Sequence, residues 1–311
     1  MAAFTQFSHT SLEHYLAMFD LGELVSFDPI TAGIENSNYF ITLDNKGFET
    51  EYVLTIAESL DFNEVSFFGR LLDQLSNKHL PVPSPLRTLD GMSSTIFCKK
   101  PTWLFPKLSG SHPTVATAIH CRTVGKLVAD IHAASANASY HRANPYHPDW
   151  AQQTLQSKQS ELHEDDHAML EETLHDYKDA LKNPLDLPSG IIHGDLFMDN
   201  TMFEGDRLTG VIDFYHACED YLIQDVAIAL LVWCTDSGGH VNEELAQALL
   251  QGYGDVRSLT DDETRLLPMF CRTAASRFVL TRLLSGEGQN YLKDPQEFMK
   301  ILRLLDRKSV V

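Results

Sequence analysis

The segment Ile191-Ile192-His193-Gly194-Asp195-Leu196-Phe197-Met198-Asp199-Asn200 sets a carboxylate and a carboxamide five residues apart after a short apolar run. Thirteen residues beyond Asn200, a second apolar run, Val211-Ile212, ends in Asp213-Phe214. Burying an unpaired carboxylate is expensive, so groups of this kind at the ends of apolar runs should line a cleft and meet cations. Phosphoryl transfer uses such a set. One carboxylate orients the nucleophilic hydroxyl and takes its proton, while a second carboxylate and a carboxamide hold Mg²⁺ against the phosphates. Asp195, Asp213 and Asn200 are the candidates for these roles. A turn in which Asp195 and Asn200 merely cap backbone amides would explain neither Asp213 nor the apolar runs. His193 is expected to hydrogen-bond backbone near the loop, and Asp225 to brace that loop.

The spacing His-x-Asp-Leu-x-x-x-Asn is that of the protein-kinase catalytic loop, and Asp213-Phe214 stands where its metal-binding Asp-Phe-Gly would be. The elements around these motifs follow from the apolar pattern. Tyr39 to Leu43 and Tyr52 to Ala57 are strand-like runs separated by Asp44-Asn45-Lys46-Gly47, a hairpin signal. Val65, Phe68, Leu71, Leu72 and Leu75 recur at helical spacing and predict a helix over 64–77, which Pro81, Pro83 and Pro85 keep from continuing. Further strands are expected over 94–99 and 102–108, then helices over most of the chain beyond Gly110. The expected architecture is α+β, a small β-rich N-terminal lobe followed by a larger, mainly helical lobe.

The whole-chain arithmetic is compatible with that plan. A chain of 311 residues suggests two domains or one domain in two lobes. With 43% hydrophobic and 22% charged residues it has the composition of an ordinary globular protein. Its 24 Lys and Arg against 43 Asp and Glu give a net charge of −19, a field that repels nucleic acid and anionic lipid. The longest apolar run, Val226 to Cys234, is about half of a membrane span, and the N-terminal residues lack the pattern of a signal peptide. Five scattered cysteines without a Cys-x-x-Cys pair suggest neither a disulfide framework nor a thiolate zinc site, so a cytoplasmic setting is expected.

One competing motif is present. His163-Glu164-Asp165-Asp166-His167 spells the His-Glu-x-x-His of zinc proteases, whose histidines must share one helix face. Its acidic flanks read instead as a solvated helix face. Tyr140, His141, Tyr146, His147 and Trp150 read as a loop packed on the larger lobe. Arg277, among few cations, either forms an inter-helix ion pair or faces the cleft to bind a carboxylate.

With these residues in view, the chain resembles the aminoglycoside-phosphotransferase and choline-kinase group, and within it the homoserine kinases of this fold. The resemblance runs through residues 32–40, Leu80-Pro81-Val82-Pro83, His132-Ala133-Ala134, residues 193–200 and 208–218, and on through Asp225 to Cys234. It implies a protein-kinase-like fold with a nucleotide-binding lobe over 1–106, a hinge at about 103–110, and a catalytic and substrate-binding lobe over 107–311. It implies ATP and Mg²⁺ as cofactors, transfer to the side-chain hydroxyl of L-homoserine, and a place in threonine biosynthesis. Choline, ethanolamine or an aminoglycoside-like acceptor is the alternative, as is a catalytically silent nucleotide-binding protein. By that resemblance Asp195 would be the base and Asn200 and Asp213 the Mg²⁺ ligands, while Gly33, Asn36, Ser37 and Asn38 would cover the phosphates, with Phe105 and Leu108 at the adenine. Asp199, Tyr215 and Arg277 would meet the acceptor. Two departures stand out: Thr55 occupies the place of the usual strand lysine, and Phe68 falls near that of its helix glutamate. A lone buried charge would be worse than none, so their joint absence is coherent.

Overall fold

The structure is a computed structural model, and it describes residues 5–31, 36–182, 186–285 and 294–305. The chain divides into two compact units, one comprising 1–110 with 209–212 and the other 111–208 with 213–311.

The first unit is built on a five-stranded antiparallel sheet. Helix α1 (His9–Leu16) precedes strands β1 (Glu23–Pro29), β2 (Asn36–Asn45) and β3 (Phe48–Ala57), then α2 (Phe62–Asn77), β4 (Thr95–Phe97) and β5 (Lys100–Pro106), in the sheet order β1-β2-β3-β5-β4. The β2–β3 hairpin turns at Lys46-Gly47, both at positive φ, as the turn residues there require. Alternation along β2 and β3 sends Tyr39, Ile41, Leu43, Leu54 and Ile56 to one face, where Leu12, Tyr15 and Leu16 of α1 complete a core. Helix α2 starts with a reciprocal capping box between Asp61 and Glu64 and buries the expected stripe of Val65, Phe68, Leu71, Leu72 and Leu75. Residues 209–212 join this unit through the Val211 N–H, which donates to the Pro81 carbonyl at 2.8 Å.

The second unit holds α3 (Ala118–Ser135), α4 (Pro148–Ser157), α5 (Glu164–Ala180), β6 (Ser189–Ile192), β7 (Thr201–Glu204), β8 (Arg207–Val211, whose last residues group with the first unit), β9 (Cys218–Tyr221), α6 (Leu222–Trp233), α7 (Glu243–Gly254), α8 (Asp261–Ser285) and α9 (Pro295–Leu304). The apolar run at 226–234 lies mostly in α6, which is buried almost throughout and packs on α3, α7 and α8. Helices α3 and α7 cross at backbone contact: a Cβ on Gly125 would stand 1.9 Å from the Leu249 carbonyl oxygen, and one on Gly252 the same distance from that of Arg122. Strands β6 and β9 pair antiparallel, Ile192 opposite Cys218, and this small ribbon carries the two motif segments.

The zinc-protease motif fails on geometry. His163 is the N-cap of α5, extended at φ −65° and ψ 149°, with its ring accepting the Asp165 N–H, so it does not share a helix face with His167. Among the described residues no group of three or more His, Cys, Asp or Glu could hold a metal ion, and no helix is long and apolar enough to cross a membrane. All five cysteines are free thiols.

Candidate active site

The loop after β6 is held from below by one carboxylate. Asp225, at the start of α6 and fully buried, accepts the His193 N–H at 2.7 Å and the Gly194 N–H at 2.8 Å. His132 of α3 closes on it at 3.2 Å through Nε2. Burial pushes the Asp225 carboxyl up, but the His132 contact, the nearby His193 and the Gly194 amide outweigh it and hold the group below the ordinary carboxylate range. The chain of partners continues from His132 to the Tyr253 hydroxyl at 3.1 Å, to Arg257 at 2.7 Å and to Glu263 at 2.8 Å, so the loop is tied to the start of α8.

Above this brace the loop is shaped residue by residue. Gly194 adopts φ +77°, and a Cβ there would come within 2.9 Å of the His216 carbonyl oxygen, so glycine is required twice over. The His193 ring is fully buried, accepts the Asp195 N–H at 3.2 Å through Nδ1, and lies 4.4 Å from the Phe214 ring. The ring thus hydrogen-bonds backbone within the loop. The Asn200 amide donates to the Asp195 backbone carbonyl at 2.7 Å and stands 3.4 Å from Asp195 Oδ2. Trp233 of α6 donates to the Leu196 carbonyl at 2.9 Å. Asp195 itself keeps 19% of its side chain exposed, while the groups that position it are buried.

Asp213 follows β8 in the left-handed region, at φ +64° and ψ 56°, which Asp tolerates better than most residues. The Phe214–His193 and His216–Gly194 contacts seat this second motif against the first. The donor set can be tested for a cation. Committing its Nδ2 to the Asp195 carbonyl leaves Asn200 with a carbonyl oxygen, and Asp213 adds a carboxylate. A carboxamide oxygen and a carboxylate are hard donors that suit Mg²⁺, which is bound through one or two carboxylates and completes its shell with phosphate and water.

Arg277 of α8 is the cation at the loop, and the inter-helix ion pair is not what it makes. It is 8% exposed, donates through Nη1 to the Gly194 carbonyl, lies 4.1 Å from the centre of the Tyr146 ring, and holds Nη2 3.9 Å from Asp195 Oδ1. Beside it opens a pocket of about 290 Å³ whose lining includes Asn144, Tyr146, Trp150, Asp220, Gln224 and Arg277. The segment of Tyr146, His147 and Trp150, expected to be a packed loop and in fact running into the start of α4, thus forms one wall. Asp199 and Tyr215 are not among the lining residues; Asp199 is exposed on the 198–200 turn. Asp220 is the residue the motif reading passed over. It lies seven positions after Asp213, inside the short, half-polar strand Cys218-Glu219-Asp220-Tyr221, and only the register of β9 turns its carboxyl toward Asn144.

In the first unit, Asn38 accepts the Thr55 hydroxyl at 2.7 Å, so the strand-lysine place is filled by a neutral pair. Phe68, near the glutamate's place, is buried. Asn36 and Phe105 are buried and Leu108 is half-buried. Ser37 stands between Asn36 and Asn38 on β2. Its side chain takes the opposite face from those of Asn36 and Asn38, and its hydroxyl donates to Glu58 while accepting the Thr5 N–H at 2.9 Å. Lys100 closes that cluster by pairing with Glu58. Gly33 lies outside the described residues.

Residues 26–259 match the model of the phosphotransferase enzyme family. The chain belongs to this family. Among its relatives are the homoserine kinase of Pseudomonas aeruginosa, 37% identical over 100% of this chain and 98% of that one, and the homoserine kinase of Neisseria meningitidis serogroup B, 36% identical over 97% and 99%. Solved phosphotransferases share the protein-kinase-like fold. One is amicoumacin kinase in complex with AMP-PNP, Ca²⁺ and its antibiotic, with a TM-score of 0.74, 15% identity and coverage of 96% of this chain and 92% of that one. Another is a spectinomycin phosphotransferase bound to ADP and spectinomycin, with a TM-score of 0.69, 16% identity and coverage of 97% and 96%. At such identities these two speak for the fold of this phosphotransferase and not for its acceptor.

Proposed function

We propose that this phosphotransferase is a homoserine kinase, transferring the terminal phosphoryl group of ATP to the side-chain hydroxyl of L-homoserine, a step of threonine biosynthesis in the cytoplasm. The observation that carries the acceptor is identity of 37% to a homoserine kinase over 100% of this chain and 98% of that one.

Asp195 is the base in this reading. Its carboxylate takes the hydroxyl's hydrogen bond, points the oxygen at the phosphoryl group, and receives the proton as the new bond forms. Asn200 and Asp213 are the residues that would hold Mg²⁺. The bound ion neutralises phosphate charge and so lowers the barrier to transfer. Arg277 sits 3.9 Å from Asp195 and places a positive charge beside that carboxylate before substrate arrives. Catalysis is then mostly positioning, which suits a loop whose backbone is fixed by a buried aspartate. Asn36, Asn38, Phe105 and Leu108 remain assigned to the nucleotide on the strength of the family resemblance.

ADP release in a coupled assay tests the reading. L-Homoserine should be turned over with Mg²⁺ and ATP, and choline, which has no carboxylate, should not. Turnover of choline in preference to homoserine would replace the acceptor, and ADP release with neither would remove the kinase reading.

A further inference from the structure

The pocket beside the catalytic loop contains one acidic and one basic group that the transfer step does not use up. Asp220 sits on β9 with its carboxylate accepting the Asn144 amide at 2.6 Å and its own neighbour Tyr221 N–H at 2.7 Å. Both partners are neutral donors. Burial lifts the Asp220 carboxyl above its ordinary range, and the donors and the more distant Arg277 only partly offset this. A carboxylate in that condition is stabilised by any cation that enters beside it.

Arg277 offers the opposite charge. One guanidinium nitrogen, Nη1, is committed to the Gly194 carbonyl. The other edge of the plane, Nε and Nη2, is not: Nε is buried without a hydrogen-bond partner, and Nη2 is 3.9 Å from Asp195, beyond hydrogen-bond length. That Nε–Nη2 edge is the fork with which arginine takes a carboxylate through two parallel hydrogen bonds. Stacking on Tyr146, whose hydroxyl is held by His216 at 2.8 Å, keeps the plane from swinging away.

Resting on the homoserine kinase reading, we propose that this pocket reads both charges of the acceptor's amino-acid head, Asp220 taking the ammonium and the Nε–Nη2 edge of Arg277 the carboxylate. The two-carbon side chain of homoserine then carries its hydroxyl from a head anchored on Arg277 to the carboxylate that the same guanidinium flanks. A cavity of about 290 Å³ accommodates a small amino acid, near the lower end of the usual range for ligand pockets. An acceptor without a carboxylate would leave the guanidinium edge unpaired, and one without an ammonium would leave Asp220 as it is now. Specificity of this kind, from buried groups left unsatisfied by the wrong ligand, is the strong kind.

Three acceptors test it: L-homoserine, 3-aminopropan-1-ol (the same molecule without its carboxylate) and 4-hydroxybutanoate (without its ammonium). In Asp220→Asn, KM for homoserine and for 3-aminopropan-1-ol should rise about 10- to 100-fold, the loss of one charge-assisted hydrogen bond. KM for 4-hydroxybutanoate should rise much less, and KM for ATP should stay as in the wild type. Asn144→Leu, which removes the amide that orients Asp220, should give the same selectivity at smaller size and stands in if Asp220→Asn does not fold. In Arg277→Lys the preference for homoserine over 3-aminopropan-1-ol should shrink at least several-fold. An equal KM change for all three acceptors, or none, overturns the proposal while leaving the kinase reading intact. A wild type that turns over none of the three overturns the homoserine reading itself.

Discussion

Asp225 receives the Gly194 N–H on Oδ1 at 2.8 Å, so a fully buried side chain sets the backbone of the turn that carries Asp195. The same carboxylate takes the His193 N–H on Oδ2 and meets His132 there. Replacing it by asparagine keeps the shape but puts an N–H₂ against an N–H donor. Asp225→Asn should therefore lose about 2–4 kcal/mol of stability, read as a shift of the denaturant midpoint. A loss below about 1 kcal/mol would mean that the loop is held by packing instead.

The same residue predicts a direction for pH. Its folded pKa lies below the unfolded carboxylate value, so its contribution to stability is full above that value and is lost as pH falls through the folded one. Stability of the wild type should drop as pH is lowered below about 4, and the difference between wild type and Asp225→Asn should narrow over that range. A gap that widens on acidification would reverse the assignment.

Much of this arrangement was legible in the sequence, and the exceptions share a cause. Asp195, Asn200 and Asp213 announce themselves because carboxylates and a carboxamide at the ends of apolar runs have no place in a core. The β2–β3 hairpin and α2 were legible from turn residues and helical spacing. The direction of the Ser37 side chain was not legible because its neighbours on β2 share its polarity, and only the register of the strand separates it from Asn36 and Asn38. Arg277 and Asp220 are 57 positions apart in the chain, and neither has a local pattern that reveals the other. Tertiary packing of α8 against the β9 segment brings them to one pocket.

Gly194 offers a test of the loop's shape that does not touch a charged group. Alanine there must adopt φ +77° and bring its Cβ within 2.9 Å of the His216 carbonyl. Gly194→Ala should cost about 1–3 kcal/mol and lower kcat at least about 10-fold, because Asp195 is the next residue along the chain. A variant with wild-type kcat would show that the turn has slack.

The metal assignment can be separated from the chemistry by following nucleotide binding alone. Asp213 supplies the one formal charge among the two proposed Mg²⁺ ligands, so Asp213→Ala should raise the Mg²⁺ concentration needed for ADP binding by about 10-fold or more. Calorimetric titration of ADP at several Mg²⁺ concentrations measures this. A titration unchanged from that of the wild type would take Asp213 out of the metal shell, and removal of Mg²⁺ by a chelator should then abolish turnover through Asn200 alone.

Asp195→Asn asks the most direct question of the mechanism. The substitution keeps the side chain's shape and, beside Asn200 and Arg277, leaves the loop with partners of nearly the same geometry. What disappears is the negative charge that orients the hydroxyl and accepts its proton. General-base assistance is worth about 10²- to 10⁴-fold, so kcat should fall by that much while KM for ATP stays near the wild-type value. The two parameters separate the possible failures. A fall in kcat with unchanged ATP binding fits a base; a rise in the KM of ATP without a fall in kcat would place Asp195 at the nucleotide instead. Retention of most activity would leave the hydroxyl without a partner in this loop.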